Sequence, residues 1–352
     1  VIDFRYHLVS IVAVFLALAI GIVLGSTELQ GHTIDVLRAT SDSQASRLNA
    51  AIAQREALSQ QVTVNDQFLQ TAEPKLVSQL LTGQSLVIVT EPGASAAVVT
   101  GVKQAAVLAG ATVTGQVSLQ PKFNDLSGAT QSSLSTINQD IATTDGTPLA
   151  EGTDPLTAYQ QQAAQLIASA ILIKKPGQFI LPIATAQTLL DAYNQAGYLT
   201  VSGAPVAGAT LAVVVTPQSA PADGPNDPAN EVLLAVAQQF AAASAATLVA
   251  GSAAGSAQAG SAISVLRSSS VSGQVSSVDN ADATLGQIST IWALAQQLAG
   301  GKPNSYGISG ASGVSPSVLP TPTVSPTVTA HPKPTGTAHP KPTGTGRAKK
   351  KT

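Results

Sequence analysis

The sequence predicts an α/β domain with a mostly parallel sheet. An N-terminal transmembrane helix and a long coiled-coil stalk carry it, and a disordered tail follows. Three observations point there. An uncharged apolar run begins at Leu8. A polar stretch follows, with apolar residues at helical spacing. Beyond Gln84, short β-branched runs alternate with helical patterns. The expected divisions are an anchor at 1–25, a stalk at 26–75, an α/β domain at 83–302 and a tail at 303–352.

Leu8 to Gly25 is an 18-residue run without a charged side chain. At 1.5 Å per residue it covers about 27 Å, close to the roughly 30 Å core of a bilayer. A buried core helix of this length would carry a polar face, and this one carries only Ser10. Gly21 and Gly25 have the spacing that lets two such helices approach, and small residues facing lipid give the same pattern. Small residues around Val23-Leu24-Gly25 also fit a cleavage site, so a removed signal segment is the other reading. The run exceeds the 7–15 apolar residues usual for a signal segment, which favours an uncleaved anchor. Arg5 on the short N-terminal flank places that end in the cytoplasm and the body outside, in the cell envelope.

In the stalk, Ile34, Leu37, Leu48, Ala51, Leu58, Val62, Leu69, Ala72 and Leu76 recur at steps of three and four or their sums. Ser41, Gln44, Arg55 and Asn65 interrupt the stripe. Such a narrow stripe suits a helix that pairs with another, either a second copy or a different membrane protein. The residues expected to carry that contact are Leu37, Leu48, Leu58, Val62, Asn65 and Leu69. Asn65 either fixes register in the seam or is solvated. Pro74 is expected to kink or close the helix, which would be about 70 Å long.

Ser85–Thr90 (SLVIVT) reads as a strand, Ala96–Leu108 as a helix stopped by Gly110, and Ala111–Leu119 as a second strand. This β-α-β order favours a parallel pair with a right-handed crossover. Further strands are expected at Tyr198–Ser202, Thr210–Thr216 and Ala246–Gly251. Helices are expected at Leu156–Ile173, Thr185–Gln195, Asn230–Ala242 and Thr284–Leu298, the last capped by Asp282. From Pro303 the chain is rich in Pro, Thr and Ser, repeats HPKPTGT and ends in a basic cluster. It has too little apolar surface to fold.

The chain has no cysteine, hence no disulfide, thiolate nucleophile or thiolate metal ligand. Residues 1–301 carry ten Lys/Arg and nineteen Asp/Glu, whereas residues 302–352 carry seven Lys/Arg and no acid. An acidic body argues against a nucleic-acid partner. The histidines are His7, His32, His331 and His339. None falls in the α/β region, so a Ser-His-Asp hydrolase lacks its base, and neither an enzyme nor a cofactor is expected. Glu91-Pro92-Gly93-Ala94-Ser95 lacks the glycines of a dinucleotide loop and reads as an ordinary strand-to-helix turn. Gly251–Ala262 reads as a flexible surface loop. Asp279 and Asp282 read as helix-capping carboxylates rather than a catalytic pair. His331 and His339 are the metal-ligand candidates, for Cu(II), Zn or Ni held weakly. The other reading of the tail is a basic segment touching wall or membrane.

IDFRYHLVSIVAVFLALAIGIVLGS resembles the opening of the actinobacterial MctB family. GQSLVIVTEPGA, AGATVTGQVSLQPKF and SSVDNADATLGQISTIWALAQQLAGGKPNSYG come after it in the family's order. The resemblance covers residues 1–307 and implies a copper transport protein of the cell envelope, with a role in copper efflux and channel formation. Relatives described under the name SteB imply another role. These are envelope factors that pair through a coiled coil with a membrane partner, SteA, and affect septal peptidoglycan remodelling. Copper and cell-wall components are thus partners implied by resemblance. A barrel pore would need many alternating strands and aromatic girdles, and the chain has twelve aromatics and one spanning segment. A pore would therefore require an oligomer.

Overall fold

The computed structural model describes residues 4–146, 148–149, 152, 155–175 and 181–317. The first element, α1, runs unbroken from Phe4–Val77 and is 74 residues long. Its first part, Phe4–Gly25, is long and apolar enough to cross a membrane. The helix passes through Pro74 and closes three residues later, so the proline sits in its last turn. Proline removes the bond to the carbonyl four residues back. Here that carbonyl belongs to Gln70, an exposed residue, where water can take the place of the missing donor.

The head follows as β1 (Ser85–Thr90), α2 (Ala96–Leu108), β2 (Thr112–Leu119), α3 (Gly128–Asp145), α4 (Ala158–Ile171), α5 (Ile183–Gln195), β3 (Leu199–Gly203), β4 (Leu211–Val215), α6 (Pro228–Ala243), β5 (Ala246–Ala250), α7 (Ala253–Ser256), α8 (Ala262–Ser268), β6 (Ser276–Val278), α9 (Thr284–Leu298) and β7 (Ser305–Tyr306). The strands form one open sheet in the order β3-β2-β1-β4-β5-β6-β7. All neighbours are parallel except β2 and β3. The β-α-β expectation is met where α2 ends. Gly110 takes φ +88° there, and its amide and that of Ala111 bond back to Val107 and Ala106.

Strand alternation sends the two halves of each central strand into different cores. Val87 and Val89 of β1 join Val214, Val249, Leu166, Ile167 and Phe240 under α3, α4, α5, α6 and α8. Leu86 and Ile88 join Val213, Leu248, Val98, Ile291 and Leu294 under α2, α9 and the end of α1. Buried on both faces, β1, β4 and β5 read as unbroken apolar runs, as parallel strands do.

Four expectations need correction. The helix α3 was not anticipated. Its Ser/Thr-rich sequence hides a sparse buried stripe of Leu134, Asn138 and Ile141. The run 251–262 is not one loop, because Ser252 caps the short α7 and Ser261 caps α8. The folded head extends past 302: Tyr306 is buried in β7, and the described residues continue to 317.

The fourth correction concerns Asp279, which caps no helix. Its fully buried carboxylate pairs with Arg267 at 2.9 Å and accepts from the amides of Ile308 and Ser309. Arg267 also donates to the carbonyls of Tyr306 and Ser309. The pair therefore ties the segment after β7 to the sheet edge. Asp282 does not cap α9 either and accepts from Ala253 at the start of α7.

Candidate functional site

Two places in the fold offer a surface for function: the bare part of α1 and a cleft at the C-terminal ends of β1 and β2. In the first, Leu37, Leu48, Leu58 and Val62 project from the helix with 55–71% of their surface exposed. Asn65 is exposed with them. Leu69 differs, since it is half-buried against the core under α2 and α9. The six residues expected to form one stripe are thus divided between open helix and head.

The junction between helix and head is polar as well as apolar. Asp66 Oδ1 accepts from the Thr284 amide at 3.2 Å, supplying the cap that α9 lacks from its own sequence. Trp292 Nε1 donates to the Leu76 carbonyl at 3.0 Å, near the end of α1. Glu73 is buried between them, and burial first, then the nearby Asp66, raises its carboxyl above the usual range. This capping partner was not legible beforehand, because Asp66 and Thr284 lie 218 positions apart.

The second place is a cleft of about 430 Å³ between the first turn of α2 and the end of β2. It lies beside the point where chain order reverses, β2 on one side of β1 and β4 on the other. Doubly wound sheets bind ligands at such points. Apolar Pro92, Ala94 and Val99 form part of its wall, Gln116 and Ser118 supply polar groups, and Glu91 borders it with its carboxylate buried. Ser95 caps α2 by accepting from Val98. Glu91 is 3% exposed, and its Oε2 accepts from Asn124 at 3.4 Å while Oε1 has no partner. Burial pushes the carboxyl up to about 7, with the Asn124 bond pulling weakly the other way. The loop expected to be an ordinary turn therefore carries a buried acid that titrates near neutrality.

The chain matches the family model described as "Copper transport outer membrane protein, MctB" over residues 1–316. It belongs to the MctB family. The "Copper transporter MctB" of Mycobacterium tuberculosis (strain H37Rv) is 31% identical over 309 residues, covering 87% of this chain and 96% of the relative. The protein of the same name from Mycobacterium leprae (strain TN) is 30% identical over 313 residues, with the same coverage. The relatives are thus named as transporters, not enzymes. The MctB match spans the apolar helix, stalk and head and stops at 316, before the repeats that carry His331 and His339. Both histidines also lie outside the described residues. Among the described residues, no group of three or more His, Cys, Asp or Glu is placed to hold a metal ion.

Proposed function

We propose that this protein serves copper transport in the cell envelope as a single-anchor assembly component. Its N-terminus lies in the cytoplasm and its head outside, and the stalk recruits the partner through which copper moves. One observation carries this reading: an apolar stripe at Leu37, Leu48, Leu58 and Val62 stands exposed on a helix continuous with the candidate membrane span. An unpaired stripe of that kind is unfavourable in water and favourable against a second helix. Copper is the cargo on this reading, and the family's relatives are what suggest it.

A strain lacking the protein is expected to accumulate copper and become copper-sensitive. The full chain should restore tolerance, and a Leu58→Pro chain should not, because proline breaks the stalk while leaving span and head in place. Full restoration by Leu58→Pro would overturn the assembly role.

A second reading has its own support. Two copies anchored at the same depth run parallel and in register, which sets Arg55 of the stripe against its own counterpart. Like charges facing each other disfavour that pair. A different membrane protein, with a carboxylate at that level, fits better. A SteA-like partner in septal peptidoglycan remodelling is the corresponding alternative role. Normal copper tolerance with defective septation in the deletion strain would select it.

A further inference from the structure

The two edges of the sheet are finished differently. At β7 the chain folds back over its own edge: Ser312 donates to the Ser305 carbonyl and Gly307 to the Gly313 carbonyl. At β3 the edge is open. The Gln120 amide donates to the Tyr198 carbonyl and the Ala204 amide to the Thr114 carbonyl. Those bonds set the antiparallel register and turn the backbone groups of Thr200 and Ser202 toward β2. The amides and carbonyls of Leu199, Val201 and Gly203 therefore point away from the sheet, and none of them has a hydrogen-bond partner. β3 carries no Lys, no Pro and no bulge, the devices that ordinarily guard an edge.

A second copy of this chain does not fit that edge. β6 and β7 are parallel, so α9 between them runs against the strands. α1 follows α9 in direction, because Asp66 meets Thr284 and, further along both helices, Leu76 meets Trp292. Pairing two β3 strands antiparallel about a two-fold axis would reverse the strands and α1 with them. The two spans would then point in opposite directions and could not share a membrane. Pairing them parallel about a two-fold would set amide against amide. The β7 edge of another copy is closed by its own chain. The strand that completes this sheet must come from a different polypeptide.

The surface beside β3 states the chemistry of that strand. A groove of about 410 Å³ is lined in part by Val201, Gly203 and Pro205 together with Gln187, Leu190 and Asp191 of α5. Leu190 and Pro205 are buried, while Asp191 is exposed and is the one charged residue of the lining. No described residue bonds to Asp191 or pairs with its charge. We propose that β3 takes on an extended, basic segment of a different polypeptide by antiparallel strand addition, with an apolar side chain over Leu190 and a Lys or Arg beside Asp191. Leu199 and Val201 turn their side chains to the core under α5, and residues opposite them share that face. The segment therefore carries its apolar and basic residues two apart, and those same residues exchange the main-chain bonds. The exclusion of a second copy rests on the anchor proposed above; the open edge and the acid beside it do not.

The test is fluorescence anisotropy on the full chain in detergent micelles, with a labelled, end-blocked Thr-Lys-Thr-Val-Thr-Lys-Thr peptide as probe. Its dissociation constant should be about 1 mM or below, the level a few main-chain bonds and one apolar contact support. Methylating the Lys and Val nitrogens should abolish binding, whereas methylating the inner Thr nitrogens, which face away from β3, should leave it unchanged. Val201→Pro removes an outward donor without touching the bonds to β2, so it should cost about tenfold in affinity with the head still folded. Asp191→Asn should cost about fivefold for this peptide and nothing for one with Gln in place of Lys. Leu58→Pro should bind as the parent does, which separates failure of this inference from failure of the stalk reading. Equal binding of the two methylated peptides, unchanged binding in Val201→Pro, or no binding in the millimolar range would each overturn the proposal. So would disulfide-linked dimers of Ser202→Cys in isolated membranes that Val201→Pro abolishes, because the edge would then be filled by a second copy; the chain has no other thiol.

Discussion

Helix α1 passes through two settings without a break in its backbone. From Val36 to Val64 its large apolar side chains are exposed, and from Asp66 to Val77 one side of it is covered by the head. The stripe is the same in both parts, since Leu58 and Val62 lead to Leu69, Ala72 and Leu76 in steps of three, four and seven. What differs is the partner. In the lower part α9 and α2 serve as the second helix, and Asp66 and Trp292 add polar bonds. In the upper part no described residue plays that role. A heptad-like stripe thus marks where a helix expects company, and only the fold decides whether that company comes from the same chain.

Unfolding experiments on the head can break or sharpen this contrast. The largest effect is expected at Asp279→Ala, which leaves the Arg267 guanidinium buried without its counter-ion. Loss of one partner of such a pair costs about 3–5 kcal/mol. Denaturant unfolding should show the head melting early while the helical signal of the stalk persists.

Glu91→Gln should act in the opposite direction, and only at high pH. The folded-state pKa of Glu91 is raised to about 7, so its protonated form is favoured by folding. That contribution is fully present below the ordinary carboxylate range and is lost as pH rises through about 7. The variant should match the parent near pH 4 and exceed it by about 3 kcal/mol at pH 8. Parallel stability curves across that range would refute the assignment.

Asp66→Ala removes the cap that the stalk lends to α9, with an expected cost of about 1 kcal/mol in head stability. Leu58→Pro should leave the head unchanged, because Leu58 and the large apolar side chains around it are exposed, yet abolish cross-linking of the stalk to its partner. A drop in head stability for Leu58→Pro would mean that the two parts of α1 are not independent.

The architecture was legible where local signals agree with the fold. Uninterrupted apolar runs gave β1, β4 and β5, and their alternation with amphipathic helices gave the parallel sheet. Shorter elements escaped for physical reasons. Two residues of β7 and three of β6 carry no periodicity, and they are strands only because the Arg267–Asp279 pair and a parallel neighbour hold them. α3 was masked by Ser and Thr, whose side chains favour caps and turns in isolation. Asp279 and Asp282 resembled a capping pair because they precede a helix, whereas their partners arrive from α8 and α7. For the cleft, Glu91 was visible as a loop residue, but its burial depends on Asn124 and the turn after β2, which sequence does not place.

An unbroken helix fastened at one end to a head and at the other to a span has a fixed angular phase. Each residue between Gly25 and Asn65 rotates the head by about 100° relative to the span and lifts it by about 1.5 Å. Deleting one residue would swing the cleft a little more than a quarter of the way around the axis, about 100°, without altering a single contact in the head. Deleting seven would lower the head by about 10.5 Å while restoring its facing to within about 20°. Stalk length therefore sets two quantities together, the height of the head above the bilayer and the compass direction in which its cleft opens.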